Sequence, residues 1–378
     1  MLSKRIQKLE ESGIRKIFKL AAENKGDYIN LSIGQPHFSA SKKLKEAAKK
    51  AIDNDCNSYT PTAGLPQLKE KIADKLKKEN SIKAETDEII ITAGVSGAIF
   101  LLMSAILDTE DEIIVPDPYF VLYKQVIDFL EAKFVSLDTY PANSGAGQDF
   151  HIDPEKLEKL ITPACAGQAP KTKAILLNSP NNPTGAVYTK EELEKIADIA
   201  RKNDLLVISD EIYEKFDYDN NFFSIGSIYK KTVTLNGFSK SHSITGWRVG
   251  YAHGPKEIIE AMNKLQQYTF VCSPSFAQFA LAEELSPEIG EIENYKKKRD
   301  FVYENLRDKY ELNIPEGAFY AFVKIPESQK DFVNKCIKNK LLVVPGNVFS
   351  DRNDYFRISF AADDEMLKKG IEILKSLA

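Results

Sequence analysis

TVTLNGFSKSHSITGWRVG, residues 232–250, begins as a β-strand and then stops being one. Thr232, Val233 and Thr234 are β-branched and favour a strand, and Gly237 closes the run. Lys240 then stands among the small residues Ser239, Ser241 and Ser243, with Arg248 eight residues on. A lysine desolvated at a strand end has a lowered pKa, which a Schiff-base nucleophile needs. One lysine among 51 basic residues is ordinarily a solvated surface group, so the weight falls on what accompanies it.

Working outward, short apolar strands alternate with amphipathic helices, the pattern of an α/β fold with a mostly parallel sheet. Strands are expected at 88–92, 112–115, 132–137, 173–178, 205–209 and 232–237. Helices are expected between them, including 119–131 and the segment opened by Thr189 and Glu192 as a capping box. Asp153 followed by Pro154 marks another helix start. The stretches 140–150 and 162–172 read as surface loops. After about residue 285 a long charged helix leads into the strands AFYAFVKI, LLVVPG and YFRISFA. That order suggests a large domain over 41–285 and a smaller α+β domain from 286–378 with 1–40, the latter contributing an N-terminal helix and arm.

Ligands of open parallel sheets sit outside the carboxyl ends of the strands, and five of these ends carry polar or special residues. After 88–92 come Gly94, Val95, Ser96 and Gly97 at a helix start, whose free N–H groups favour an anion such as phosphate. Tyr119 follows the second strand and could lie over a flat ligand. Asn182 sits in the proline-rich SPNNPTG and offers an amide. Asp210 and Tyr213 follow the fifth, where a buried carboxylate demands a cation or a protonated ring nitrogen. Lys240 and Arg248 follow the sixth. Taken singly, each has a bland explanation in a turn, a cap or the core; together, in chain order, they fit one ligand.

The blocks SPNNPTG, SDEIY, GFSKSHSITGWRVGY and YFRISFA, with LSIGQPHF and SYTPTAGLPQL nearer the N-terminus, resemble the class I aminotransferases of fold type I. The resemblance runs in order over nearly the whole chain. It implies pyridoxal 5'-phosphate as cofactor, bound as a Schiff base on Lys240, and amino transfer from an L-amino acid to a 2-oxo acid such as 2-oxoglutarate. Asp210 would pair with the pyridine nitrogen, Tyr213 and Asn182 with the phenolic oxygen, and Tyr119 would stack on the ring. Gly94, Val95, Ser96, Ser239 and Arg248 would hold the phosphate, with Tyr59 reaching in from the second subunit of a homodimer. Arg357 would clamp the substrate α-carboxylate, near Asn182 and the Gly34 backbone.

The chain also departs from that pattern. Gly237 stands three residues before the lysine, where a hydroxyl residue is common, and His37 replaces an acid in GQPHF. Neither Val95–Gly97 nor 267–275 holds an Arg or Lys to meet a second carboxylate, as aspartate-specific relatives often do there. Tyr268, Phe270, Phe18 and His37 are candidates to line an aromatic or mixed side-chain pocket.

The bulk properties narrow the alternatives. The length of 378 residues suits roughly two domains. A net charge of -4 gives no reason to expect nucleic acid or an anionic membrane as partner. Cys56, Cys165, Cys272 and Cys336 are too scattered for a zinc or redox pair, and no metal is expected. The charged start and the lack of any span-length apolar run argue for the cytoplasm. Two rivals remain: a carbon–sulfur β-lyase on the same fold and a non-catalytic cofactor-binding regulator. A nucleotide-binding enzyme is disfavoured, since neither G-x-x-x-x-G-K-[ST] nor G-x-G-x-x-G occurs.

Overall fold

The computed structural model describes residues 2–9, 11, 13–15, 17, 19, 28–141, 150–161, 171–287, 289–326 and 331–378. Phe18, Cys165 and most of the two expected loops lie outside the described residues. The chain enters on β1 (Ile29–Asn30). Seven strands then build the large sheet: β2 (Ile89–Thr92), β3 (Glu112–Asp117), β4 (Lys133–Asp138), β5 (Thr172–Asn178), β6 (Leu206–Asp210), β7 (Thr232–Gly237) and β8 (Gly250–His253). The C-terminal part adds β9 (Tyr320–Lys324), β10 (Leu341–Leu342), β11 (Val344–Pro345) and β12 (Tyr355–Ser359).

The large sheet runs in the order β2-β8-β7-β6-β5-β3-β4. Neighbours from β7 through β4 are parallel, while β8 is antiparallel to both β7 and β2. All six expected strands are present; β8 is the one the sequence reading missed. Its four residues, GYAH, are too short and too rich in small residues to announce a strand.

The near-continuous apolar runs have a simple cause. Successive side chains on a strand point to opposite faces, and both faces of this sheet are covered. On β5, Ala174 and Leu176 face one core with the helix Gly94–Ile106, while Ile175 and Leu177 face another with the helix Lys190–Lys202. A smaller antiparallel sheet, β11-β12-β9, forms the second layer system, and β1 pairs with β10 beside it. Its core includes Phe319, Phe356, Ile358 and Phe360. The short helix Lys4–Lys8 carries Arg5 over the Phe129 ring, 5.5 Å from its centroid.

Local capping follows the sequence. Asp153 caps the helix Pro154–Leu160, and Thr189 with Glu192 forms the capping box of Lys190–Lys202. The structure gives Glu192 a second use. His151 Nδ1 lies 2.8 Å from Glu192 and its Nε2 lies 3.1 Å from Glu316, which leads into β9. Burial lowers the pKa of this imidazole, but the two carboxylates outweigh it and lift the value to about 9. The folded pKa therefore exceeds the unfolded value of roughly 6.5, and the resulting stability is complete below that value and lost as pH rises through about 9. His151→Gln should lower unfolding stability by on the order of 2 kcal/mol at pH 7, with little difference at pH 10. Denaturant titrations at both pH values check this, and a gap that ignores pH would count against the clamp.

No helix among the described residues is long and apolar enough to cross a membrane. Among those residues, too, no group of three His, Cys, Asp or Glu side chains is placed to hold a metal ion.

Candidate active site

The carboxyl ends of β5, β6 and β7 open on a cleft of about 680 Å³, closed on its other side by residues from β9 and β12. Strand register sets its floor. Asn178 pairs with Asp210 at the ends of β5 and β6, and Gly237 pairs with Gly250, which pairs in turn with Thr92. β8 thus returns the chain from the Lys240 loop to the start of the helix Gly94–Ile106, and Arg248 arrives there with it.

That junction leaves no room for side chains. A Cβ on Gly250 would lie 2.8 Å from the Val95 nitrogen, and one on Gly94, at φ +70, would lie 2.6 Å from Arg248 Nη2. The helix N-terminus, Val95, Ser96, Ser239 and Arg248 together line one end of the cleft. The first N–H groups of a helix have no intrahelical partner, and with the guanidinium beside them they make this a seat for an anion. Arg248 is itself in the left-handed region at φ 55, and its Nη1 donates to the Thr245 carbonyl at 2.9 Å.

Lys240 points across the cleft, donating from Nζ to the Gly34 carbonyl at 2.7 Å. Burial, then the Arg357 and Arg248 charges, pull its pKa down to about 8, against the opposite pull of Asp210. Asp210 is 3% exposed. Its Oδ2 accepts from the Tyr123 hydroxyl at 2.7 Å and its Oδ1 from the Ile212 N–H at 3.2 Å. Burial raises this carboxyl to about 6, less than it would without Tyr123. The neighbouring Glu211 faces the other way, held by Ser224 and Ser209 at 2.6 and 2.9 Å, and burial lifts it to about 8. Two adjacent acids thus have different duties because the strand alternates.

Alternation also decides Arg357. Phe356 and Ile358 enter the small core, and Arg357 between them turns to the cleft. It is 1% exposed, donates to Asn182 Oδ1 at 2.8 Å and to the Ser32 carbonyl at 2.7 Å, and its Nε has no partner. Its guanidinium carbon lies 4.4 Å from the Tyr320 ring centroid and 4.8 Å from that of Phe349. A buried guanidinium held by neutral groups suits an incoming carboxylate.

Of the residues expected from sequence, Gly34, Val95, Ser96, Asn182, Asp210, Tyr213, Ser239, Lys240, Arg248 and Arg357 all line this one cleft, with Gly94 beneath Arg248. Tyr119 does not. Its ring packs against Phe134 at 4.7 Å and its N–H donates to Phe349, so the adjacent Phe120 faces the cleft instead. The turn before the helix Leu122–Phe129 rotates consecutive side chains apart, and sequence alone could not tell which aromatic would face in. Tyr59 is 84% exposed and does not line the cleft of its own chain.

Two further residues went unforeseen. Tyr123 supports Asp210, and Tyr320 exchanges a 2.8 Å hydrogen bond with Tyr213. Tyr320 also presses on Gly34, where a Cβ would lie 2.6 Å from its hydroxyl. Nothing in the local pattern separates either from a core tyrosine. The aromatic pocket candidates fare differently: Tyr268 and Phe270 are exposed, and His37 turns to the Tyr295 hydroxyl at 2.7 Å.

Residues 26–374 match the family model described as aminotransferase class I and II. A probable aspartate aminotransferase of Methanocaldococcus jannaschii is 37% identical, with 100% of each chain covered. The aromatic-amino-acid aminotransferase 2 of Thermococcus litoralis is 36% identical, covering 100% of this chain and 98% of its own. Among solved structures, the aspartate aminotransferase from Thermus thermophilus with maleate superposes with a TM-score of 0.93 at 35% identity, covering 100% of both chains.

Proposed function

Because this chain belongs to the class I and II aminotransferases and is an aminotransferase, we propose that it moves the amino group of an L-amino acid to a 2-oxo acid on pyridoxal phosphate held by Lys240. The family is dependent on that cofactor, and the site fits it. The observation that carries the reading is the meeting of Lys240, Asp210 and Arg357 in one cleft. The glycine-lined anion seat suits the phosphate, with Val95, Ser96, Ser239 and Arg248 around it. Asp210, buried among neutral donors apart from the more distant Lys240 charge, suits a protonated ring nitrogen. Tyr213 and the amide of Asn182 suit the ring hydroxyl, and Phe120 takes the flanking place first expected of Tyr119.

When bound, the cofactor supplies an electron sink for the bond broken at the substrate α-carbon. The protein does the rest. Arg357 fixes the α-carboxylate and therefore which bond lies ready to break. Lys240 would hold the cofactor, and its Nζ is the group placed to take a proton from the substrate α-carbon and give it back. A lysine held near pH 8 suits both tasks near neutrality. Asp210 would face the ring nitrogen and favour its protonated form. Tyr59, exposed here, would complete the phosphate seat of a second copy, which makes the working unit a homodimer.

The relatives' names divide between aspartate and aromatic donors, so the donor needs its own test. Single L-amino acids are mixed with the cofactor-loaded protein without an acceptor. The yellow colour is expected to bleach and to return with 2-oxoglutarate. If no donor bleaches it, or if the colour persists while pyruvate accumulates, the proposal fails.

A further inference from the structure

Tyr320 has no part in the reading above, yet it touches three of the residues which that reading uses. It opens β9, is 1% exposed and lines the cleft. Its hydroxyl lies 2.8 Å from that of Tyr213. The same hydroxyl sits against Gly34, where a Cβ would come within 2.6 Å of it, and the Gly34 carbonyl accepts from Lys240. Its ring lies under Arg357, whose guanidinium carbon is 4.4 Å from the centroid. Packing accounts for the ring. It does not account for the hydroxyl, because a buried O–H needs a partner and a phenylalanine would fill the same space without needing one.

The direction of the bond between the two tyrosines follows from what each has left to give. A phenol donates one proton and can accept others. Under the proposed function Tyr213 gives its proton to the ring oxygen of the cofactor. That leaves the Tyr213 oxygen as acceptor and Tyr320 as donor. Arg357 favours the same polarity. Burial raises the pKa of the Tyr320 hydroxyl and the adjacent guanidinium opposes the rise, so the charge strengthens this O–H as a donor. A hydroxyl that accepts a bond in turn becomes a better donor itself.

We propose that Tyr320 is a positioning residue whose hydroxyl donates to Tyr213, aims the Tyr213 proton at the ring oxygen of the cofactor and strengthens that contact. This rests on the proposed function for the role of Tyr213. Its consequence concerns a proton. The ring oxygen would lie beside the Lys240 nitrogen and help to hold a proton there. A hydroxyl donating to that oxygen takes up part of its negative charge and loosens the proton. The Tyr320 bond therefore lowers the pH at which the bound cofactor changes colour, and its loss raises that pH.

The test is a spectrophotometric pH titration of the cofactor-loaded protein as wild type, Tyr320→Phe, Tyr213→Phe and the double variant. Tyr320→Phe keeps the ring under Arg357 and removes the hydroxyl alone. Its colour midpoint is expected about one pH unit above wild type, the scale of one hydrogen bond. For a single amino donor kcat should fall about 10-fold with KM little changed, since Arg357 keeps its seat. The double variant should titrate like Tyr213→Phe, because Tyr320 acts through Tyr213. An unchanged midpoint overturns the proposal, and so does a lower one, which would mean that Tyr213 donates to Tyr320. Shifts that add in the double variant overturn it as well, by showing another route. A wild-type protein that takes up no coloured cofactor overturns the proposed function, whereas a coloured wild type with any of those three results overturns this inference alone.

Discussion

Lys240→Ala should lose more than about 10⁴-fold in kcat, the upper end of what general acid–base catalysis contributes, while remaining folded and still taking up pyridoxal phosphate. The expectation rests on the surroundings of Nζ. It faces the Gly34 carbonyl, with Arg248 and Arg357 close enough to depress its pKa to about 8. Among the described residues no other lysine lines the cleft. Removing it also removes a buried positive charge that two neighbouring cations oppose, so the melting temperature should not drop. Borohydride reduction followed by peptide mapping should attach the cofactor to Lys240 in the wild type and to no peptide in the variant. Turnover above about 1% of wild type would be incompatible with a 10⁴-fold contribution and would move the chemistry to another group.

The second large effect is expected at Arg357→Leu. Truncating one partner of a buried charged pair costs about 2–5 kcal/mol, so kcat/KM should fall by about 30- to 5,000-fold for every amino donor, whatever its side chain. Stability should move the other way or not at all. The guanidinium is buried, its Nε has no partner, and burial lowers its pKa, so the empty protein carries a desolvated charge. A leucine relieves that cost. Arg357→Lys should rescue only a small part, because an ammonium lacks the planar two-pronged geometry. Steady-state kinetics with aspartate and alanine, beside a thermal melt, give both readouts. A KM that stays at the wild-type value would show that the α-carboxylate binds elsewhere.

These two residues differ in how far sequence alone could identify them. Lys240 was legible through its company, a closed apolar strand before it, serines around it and polar groups at the other strand ends, while alone it reads as a surface lysine. Arg357 sits inside YFRISFA and depends on the family resemblance; in isolation it reads as the polar face of a half-buried strand. Asp210 was legible as a carboxylate at a strand end, but Glu211 beside it carries the same signal. Only the sheet shows which of the two faces the cleft. Tyr119 and Phe120 make the same point, since the expectation named Tyr119 and the ring that lines the cleft is Phe120.

The N-terminal segment, whose Ile14 and Arg15 line the cleft, marks the limit of local reading. Its placement depends on Gly13 meeting Val348 and on Ile14 meeting the Phe349 cluster, contacts between ends of the chain that no window of sequence contains. By itself the sequence determined the alternating strands and helices, the parallel sheet and the row of chemical groups at its carboxyl edge. Those follow from periodicities of two and 3.6 residues and from glycines and prolines that act within a few positions. The tertiary structure alone decided which neighbours point inward, that Tyr123 and Tyr320 support the site, and which cations share one cleft. Such facts turn on packing between segments far apart in the chain, where a single bond rotation redirects a side chain without leaving a trace in the local pattern.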